Sequence, residues 1–256
     1  MLLAIDIGNT DIVFALNNKD QWIHHWREKS DISRLPGSFA LNLKNHFLEN
    51  DLNTSRVKTV VLSSVVPALT TIIHNMIEVV FGFEPLVVGP DIYDRITIKT
   101  NNPQEIGTDL VANAAAAYAR TKDYCIVVDF GTALTFTTIN NRAQILGVAI
   151  APGLKTAMKS LSGNTARLPE IPLELPASVL GKNTVHAMQA GILHGYVGLV
   201  TGMIDNIRNE LARPCQVIAT GGLSAILTPL HSYFDEINPL LTLDGLKVIA
   251  GEVKFL

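Results

Sequence analysis

The sequence predicts an α/β chain in which one lobe is built twice, and three observations lead there. Met1–Thr10 is an apolar run that delivers Asp6 and then breaks into Gly8, Asn9 and Thr10. Tyr124–Ala133 repeats the plan, with Asp129 and Gly131 each 123 residues after Asp6 and Gly8. The elements after each copy recur as well: two more strands, then a helix. Self-similarity at one offset, close to half the chain, is the signature of internal duplication. Two similar lobes facing each other, each with a strand–Asp–x–Gly loop, are therefore expected.

The elements can be taken in order. After the opening strand, Ile12–Leu16 and Gln21–Glu28 read as strands joined by the polar turn Asn17–Asp20. Phe39, Leu43, Phe47 and Leu48 have helical spacing within a helix over Gly37–Asn50. Val57–Val65 reads as a buried strand, Pro67 opens a helix to Phe81, and Leu86–Val88 is a short strand. Asp91–Asn102 is extended and polar, and a helix rich in alanine starts near Gly107. The second copy supplies strands over Tyr124–Phe130, Leu134–Ile139 and Ile145–Ile150, then a helix from Gly153. Pro169, Pro172 and Pro176 make Leu168–Leu180 an extended connector. A long helix over Thr184–Leu211 carries Gly191, Gly195, Gly198 and Gly202 along one face. Each interior glycine costs a helix ~1 kcal/mol relative to alanine, so close packing, against the chain's own lobe or a second subunit, must offset it. Gln216–Thr220 is a buried strand running into Gly221-Gly222, with a helix starting at Leu223-Ser224.

Composition narrows the function classes. With 256 residues, 48% of them hydrophobic, the chain can bury the cores of two lobes. A net charge of −3 carries no footprint for nucleic acid or for an anionic membrane. Apolar runs are broken by charges or glycines before they reach a membrane span, and no secretion signal opens the chain. Cys125 and Cys215 sit in or beside strand-like runs, which suits buried, reduced thiols in a cytoplasmic protein. The seven histidines show no ligand spacing.

The motifs point to phosphate. At Gly8 the backbone can pass close to an anion with no Cβ in the way. Asn9 and Thr10 add donors, and Asp6 can hold a metal-bound water. Two such loops facing each other need a polyphosphate between them. Gly221-Gly222 is a third strand-to-loop junction and suits the adenosine side of a nucleotide cleft. Asp109, in the first turn of its helix, is by itself explained as a charge that complements the helix dipole.

Read together, these stretches resemble a known family. Asp6–Thr10, Asn102-Pro103 through Gly107-Thr108-Asp109, Asp129–Ala133, Gly147–Gly153, Thr165–Pro169, Gly181–Thr184 through Met188–Gly191, and Ala219–Gly222 occur in the order seen in type III pantothenate kinases. The resemblance covers essentially the whole chain. It implies the actin-like (acetate/sugar kinase–heat-shock–actin) fold, a duplicated, two-lobed ribonuclease H-like arrangement. The first lobe would span residues 1–120 with the first phosphate loop and the substrate loop. The second would span 121–256 with the second phosphate loop and a long helix suited to a dimer. The implied reaction is ATP-dependent phosphorylation of pantothenate to 4′-phosphopantothenate, the first step of coenzyme A biosynthesis, in a cytoplasmic homodimer. The loop Asp6, Ile7, Gly8, Asn9, Thr10, Asp11, Ile12 and Val13 then resembles the first ATP loop, with Asp6 near magnesium. Thr132 matches an ATP contact, and Asp129 matches the position tied to potassium or ammonium. Gly107, Thr108, Asp109 and Leu110 correspond to the substrate loop, with Asp109 as proton acceptor. Thr184 corresponds to a pantothenate contact that reaches the neighbouring subunit's site. Physical reasoning agrees on Asp109, the one acid beside a glycine loop yet outside both phosphate loops.

Three positions depart from the pattern. Leu110 stands where the family usually has arginine, Thr100 where tyrosine is common, and Val13 where the first loop often ends in lysine. Losing the arginine removes a charge-assisted hydrogen bond of ~1.5–3 kcal/mol from the acceptor's carboxylate. Lys99, Lys155 and Arg167 are the candidate substitutes. A paralogue acting on another small hydroxy compound, or a weakly catalytic ATP-binding regulator, is the alternative these departures raise. Retention of Asp6, Asp109, Asp129 and Thr132 speaks against the regulator.

Overall fold

The computed structural model describes residues 1–165, 167–224 and 226–254, so Ala166 of the Thr165–Pro169 motif lies outside the described residues. The chain divides into two compact units, Met1–Ala116 with the C-terminal segment from Thr242, and Ala117–Leu241.

The first unit holds β1 (Leu2–Ile7), β2 (Asp11–Asn18), β3 (Gln21–Lys29), α1 (Pro36–Glu49), β4 (Thr59–Ser64), α2 (Pro67–Phe81) and β5 (Leu86–Val87). Its sheet runs β3-β2-β1-β4-β5, with β1 antiparallel to β2 and parallel to β4. Leu3, Ala4, Ile5 and Ile7 are fully buried, as expected for a central strand covered on both faces. Phe39, Leu43 and Phe47 of α1 and Leu69, Ile73 and Ile77 of α2 join Ile5, Phe14 and Leu62 in one core. β3 alternates exposed and covered residues, as an edge strand does.

α3 (Thr108–Thr121) leads from the first unit into the second. Next come β6 (Cys125–Phe130), β7 (Ala133–Ile139), β8 (Ile145–Pro152), α4 (Leu154–Gly163), α5 (Thr184–Gln189), α6 (Gly195–Leu211), β9 (Gln216–Thr220) and β10 (Glu236–Ile237). This sheet runs β10-β9-β6-β7-β8, with β6 antiparallel to β7 and parallel to β9. Each sheet thus has a central strand ending in the repeated aspartate, a hairpin partner on one side and parallel strands on the other. The duplication read from Asp6 and Asp129 is a duplication of topology. Both cysteines are buried and free.

Besides Pro90–Arg95, which winds into a 3-10 helix with Ile92 and Tyr93 buried where an extended, polar stretch is expected, three features differ from expectation. Leu223-Ser224 form a turn rather than the start of a helix. The Ser224 N–H and Oγ–H both donate to the Gly221 carbonyl, at 3.2 and 2.9 Å, so the serine closes the chain on itself. The long helix is not uniform, since Ala190–His194 widens into a π segment between α5 and α6. By length and composition Thr184–Leu211 could cross a membrane, with a mean hydropathy of 1.2 in its most apolar window. Here, however, Met188, Leu193, Tyr196, Val200 and Ile204 lie in the core of the second unit. The third feature is α7 (Leu241–Lys254), which sequence reading left unassigned. Leu243, Leu246, Ile249, Ala250 and Val253 have the helical spacing that could have found it, but Gly245 and Gly251 weaken the pattern. α7 belongs to the first unit, so no single cut near residue 120 separates the two units. Its Asp244 accepts a hydrogen bond from Trp22 Nε1 at 2.7 Å, and Thr242 donates to Asn113 Oδ1 at 2.8 Å.

Candidate active site

In the first unit, β1 carries Asp6 to the sheet edge, and the chain turns back at once into β2. The Gly8 N–H donates to the Asp11 carbonyl at 3.1 Å, closing the loop tightly. Ser30 braces it from outside, its N–H donating to the Thr10 carbonyl at 3.0 Å and its hydroxyl to the Gly8 carbonyl at 2.5 Å. Asn9 and Thr10 are exposed, so their groups can meet a ligand, whereas Ile7 and Ile12 are buried and anchor the loop ends. Asp11 pairs with Lys29 at 2.7 Å, and Val13 lies beside Asp6 across the hairpin.

The substrate loop is tied to the same edge. β4 runs parallel to β1 with Ser63 beside Asp6 and Ser64 beside Ile7. Thr108 Oγ1 lies 2.9 Å from Ser63 Oγ, accepts from the Ser64 N–H at 3.1 Å and donates to the Ser64 carbonyl at 3.1 Å. These bonds pin the N-terminus of α3 against the end of β4, one strand from the Asp6 loop. Asp109 is the next residue. Its Oδ1 accepts from the Leu110 N–H at 2.9 Å, and a Cβ on residue 107 would come within 2.5 Å of that oxygen. Only glycine at 107 leaves the carboxylate where it is.

Burial pushes the Asp109 carboxyl above the ordinary carboxylate range, and the opposing pull of the Leu110 and Asp109 N–H groups is smaller. A helix N-terminus alone would lower it. Desolvation wins, which is the condition of an acid–base group rather than of a simple helix cap. Leu110 is 8% exposed, so the position usually held by arginine is filled by a packed apolar side chain.

In the second unit, Asp129 lies beside Thr135 on one side and Thr220 on the other. Gly131-Thr132 forms the hairpin turn, with both residues exposed. That turn is clamped by the N-terminus of α4, where the Gly153 N–H and the Thr156 hydroxyl donate to the Thr132 carbonyl at 3.0 and 2.7 Å. A Cβ at 153 would sit 2.3 Å from the Gly131 carbonyl oxygen. Gly221 adopts φ +89°, and a Cβ there would lie 2.6 Å from Asp129 Oδ1. Gly222 is exposed with open space around it. Asp129, Thr132 and the glycine pair therefore share one corner of this unit. Thr184, also exposed, opens α5, capped by Asn183, whose Oδ1 accepts from the His186 N–H at 2.9 Å.

Ser63, Ser64, Ser30 and Thr156 hold these loops, and sequence reading passed over all four. No local pattern marks them, because the loop groups they hold lie 20 to 45 residues away. Of the candidate replacement cations, Lys99 donates to the Ile96 carbonyl at 2.8 Å, and Lys155 and Arg167 are exposed. Among the described residues no three His, Cys, Asp or Glu side chains gather as a metal cluster.

Comparison with known proteins identifies the family. A family model described as type III pantothenate kinase matches residues 2–206. The type III pantothenate kinase of Moorella thermoacetica is 40% identical over 249 residues, 97% of this chain and 98% of that protein. That of Geotalea uraniireducens is 39% identical over 249 residues, 97% of each chain. Among solved structures, a Campylobacter jejuni chain described as a Baf family transcriptional activator is similar at TM-score 0.60 and 22% identity, covering 99% of this chain and all of that one. The polyphosphate/ATP-glucomannokinase of Arthrobacter sp. strain KM is similar at TM-score 0.50 and 16% identity, covering 99% and 98% of the two chains. At these identities the solved structures speak to the fold alone, which is the actin-like ATPase and sugar kinase fold expected from the family resemblance. The curated relatives, covered almost end to end at 39–40% identity, go further: the chain belongs to the type III pantothenate kinase family.

Proposed function

We propose that the chain phosphorylates the pantothenate hydroxyl with Asp109 as proton acceptor, the role that family membership leaves to be assigned. The observation that carries this reading is the half-buried Asp109 carboxylate, raised by desolvation and fastened through Thr108 beside the Asp6 loop. Phosphoryl transfer to an alcohol asks the protein mainly for positioning and charge neutralisation. A carboxylate that gains from taking up a proton is suited to accept one from the attacking hydroxyl. Asp6 through Val13 binds ATP phosphate through the Gly8–Thr10 backbone, and Thr132 with Gly221-Gly222 contacts ATP from the second unit. Gly107–Leu110 lines the acceptor site.

The donor sets suit the ions such a reaction uses. With no three-residue cluster among the described residues, a protein cage for a divalent ion is lacking. Mg²⁺ needs none, since it binds through nucleotide phosphates, waters and one or two carboxylates. Asp6, at the mouth of the first loop, is the carboxylate for it. When bound, magnesium neutralises charge on the transferring phosphoryl group. Asp129 is assigned to a monovalent cation, potassium or ammonium; glycine at 221 lets the backbone pass close to its Oδ1, where a Cβ would collide.

A homodimer is part of the same reading. Gly191, Gly195, Gly198 and Gly202 have open space where a Cβ would stand, and the first three are exposed. Packing within the chain's own unit therefore does not offset their helical cost, and a partner helix does. Thr184, on the same helical run, is assigned to the partner's acceptor site. Gly198→Leu is expected to shift the protein from dimer to monomer in sedimentation while leaving each chain folded. A variant that stays dimeric assigns the glycine face no part in assembly. Buried, free Cys125 and Cys215 suit a reducing cytoplasm.

A coupled assay of ADP release with ATP, magnesium and potassium or ammonium tests the whole reading. Pantothenate-dependent release is expected, and its absence at millimolar pantothenate overturns it.

A further inference from the structure

The loop assigned to ATP phosphate lacks a cation of its own. Asp6 through Val13 contains two carboxylates, Asp6 and Asp11, and no lysine or arginine. Backbone N–H groups and magnesium meet part of the charge of a triphosphate, and phosphate sites commonly add a basic side chain. The cation joined to this loop comes from the next strand. Lys29 ends β3 opposite Asp11, and its Nζ lies 2.7 Å from Asp11 Oδ1. Asp11 in turn gives its carbonyl to the Gly8 N–H at 3.1 Å. Ser30, the residue after Lys29, donates to the Thr10 and Gly8 carbonyls. The backbone that carries Lys29 is therefore fastened to the loop through the ladder and through Ser30.

The ammonium itself is open to a ligand. The Lys29 side chain is 78% exposed, against 28% for Asp11. Of its three donors Asp11 takes one, which leaves donors and surface for a phosphate. A pair this exposed adds little to stability. We infer that Lys29 is a nucleotide-binding residue: Asp11 holds its ammonium at the loop, where it donates to a phosphate oxygen of ATP. The inference rests on the reading of Asp6–Val13 as the ATP loop. Asp11 is then a positioning residue, and its own charge, unfavourable beside phosphate, is offset by the lysine it holds.

Binding of MgATP to the full chain, measured by calorimetry with no acceptor present, tests this alongside steady-state kinetics. Lys29→Met should raise the ATP Kd and the KM for ATP about tenfold to a hundredfold, the loss of a charge-assisted hydrogen bond. The KM for pantothenate and the turnover at saturating ATP should hold, and Lys29→Arg should recover most of the affinity. A lysine here can touch phosphate or merely cancel the Asp11 charge, and a second substitution separates the two. Asp11→Asn combined with Lys29→Met should stay at least tenfold weaker than wild type. A double variant with wild-type affinity makes Lys29 only a counter-charge and overturns the inference. Arg27→Met removes a like charge from the same exposed face of β3, opposite Val13. An equal loss there reduces Lys29 to the general field of the strand and overturns the inference too. Unchanged MgATP binding in Lys29→Met also overturns it and leaves the kinase reading standing. Wild-type protein that binds MgATP without pantothenate-dependent turnover overturns the kinase reading alone, and one that binds no MgATP overturns both.

Discussion

Asp109→Asn should lower kcat for pantothenate by about a hundredfold to ten-thousandfold, the usual worth of a positioned base. Stability should not fall with it. The Asp109 carboxyl is raised above its unfolded value, so the folded state binds its proton more tightly than the unfolded chain does. At neutral pH the ionised group therefore destabilises the fold, and stability rises as pH falls through the folded value toward the unfolded one. The neutral amide removes that penalty, so the Asp109→Asn melting temperature at pH 7 should equal or exceed the wild type's. Activity runs the opposite way with pH: the base must be ionised, so kcat/KM falls as pH drops through the raised value. That acid limb should lie above the ordinary carboxylate range. A variant with wild-type turnover would remove Asp109 from the chemistry. One that melts well below the wild type would make it a structural carboxylate.

Gly245→Ala carries the largest expected loss of stability. A Cβ at 245 would stand 1.8 Å from the Ala112 carbonyl oxygen and 2.4 Å from its carbon. The obstacle is helix backbone rather than the tip of a side chain, so α7 and α3 must move apart. Overpacking of this kind costs about 1–3 kcal/mol and occasionally more, and alanine's better helix propensity returns only ~1 kcal/mol. Denaturant unfolding should show a loss of about 2 kcal/mol or more. The activity should suffer beyond the stability loss, because α3 begins at Thr108-Asp109 and its displacement carries the base with it. A wild-type unfolding midpoint would mean that the two helices tolerate separation. Gly251, on the same helix with open space around it, is the control: Gly251→Ala should be neutral or stabilising.

Both variants turn on how much of this protein is written locally. The Asp6 and Asp129 loops were legible because each is one strand followed at once by its turn. Duplication made each copy evidence for the other, and the two sheets share the same pairing scheme. The Gly107–Leu110 turn was legible as residues, but as local sequence Asp109 reads only as a helix cap. The proposed role came from the family resemblance, and burial now supports it; burial is a property of what packs around α3 rather than of the turn.

What the sequence determined by itself is therefore the set of strand–Asp–x–Gly loops, their duplication and the family. Tertiary structure alone decided which side chains hold those loops in place. Ser63, Ser64, Gly153 and Gly221 act through contacts with residues distant in the chain, which leave no period or motif to read. It alone returned the C-terminal helix to the first unit, through Trp22, Asn113 and the bare Cα of Gly245. Pattern in a chain records periodicity and short-range turns. Desolvation and close approach are pairwise facts between distant residues, and these set the proton affinity of Asp109.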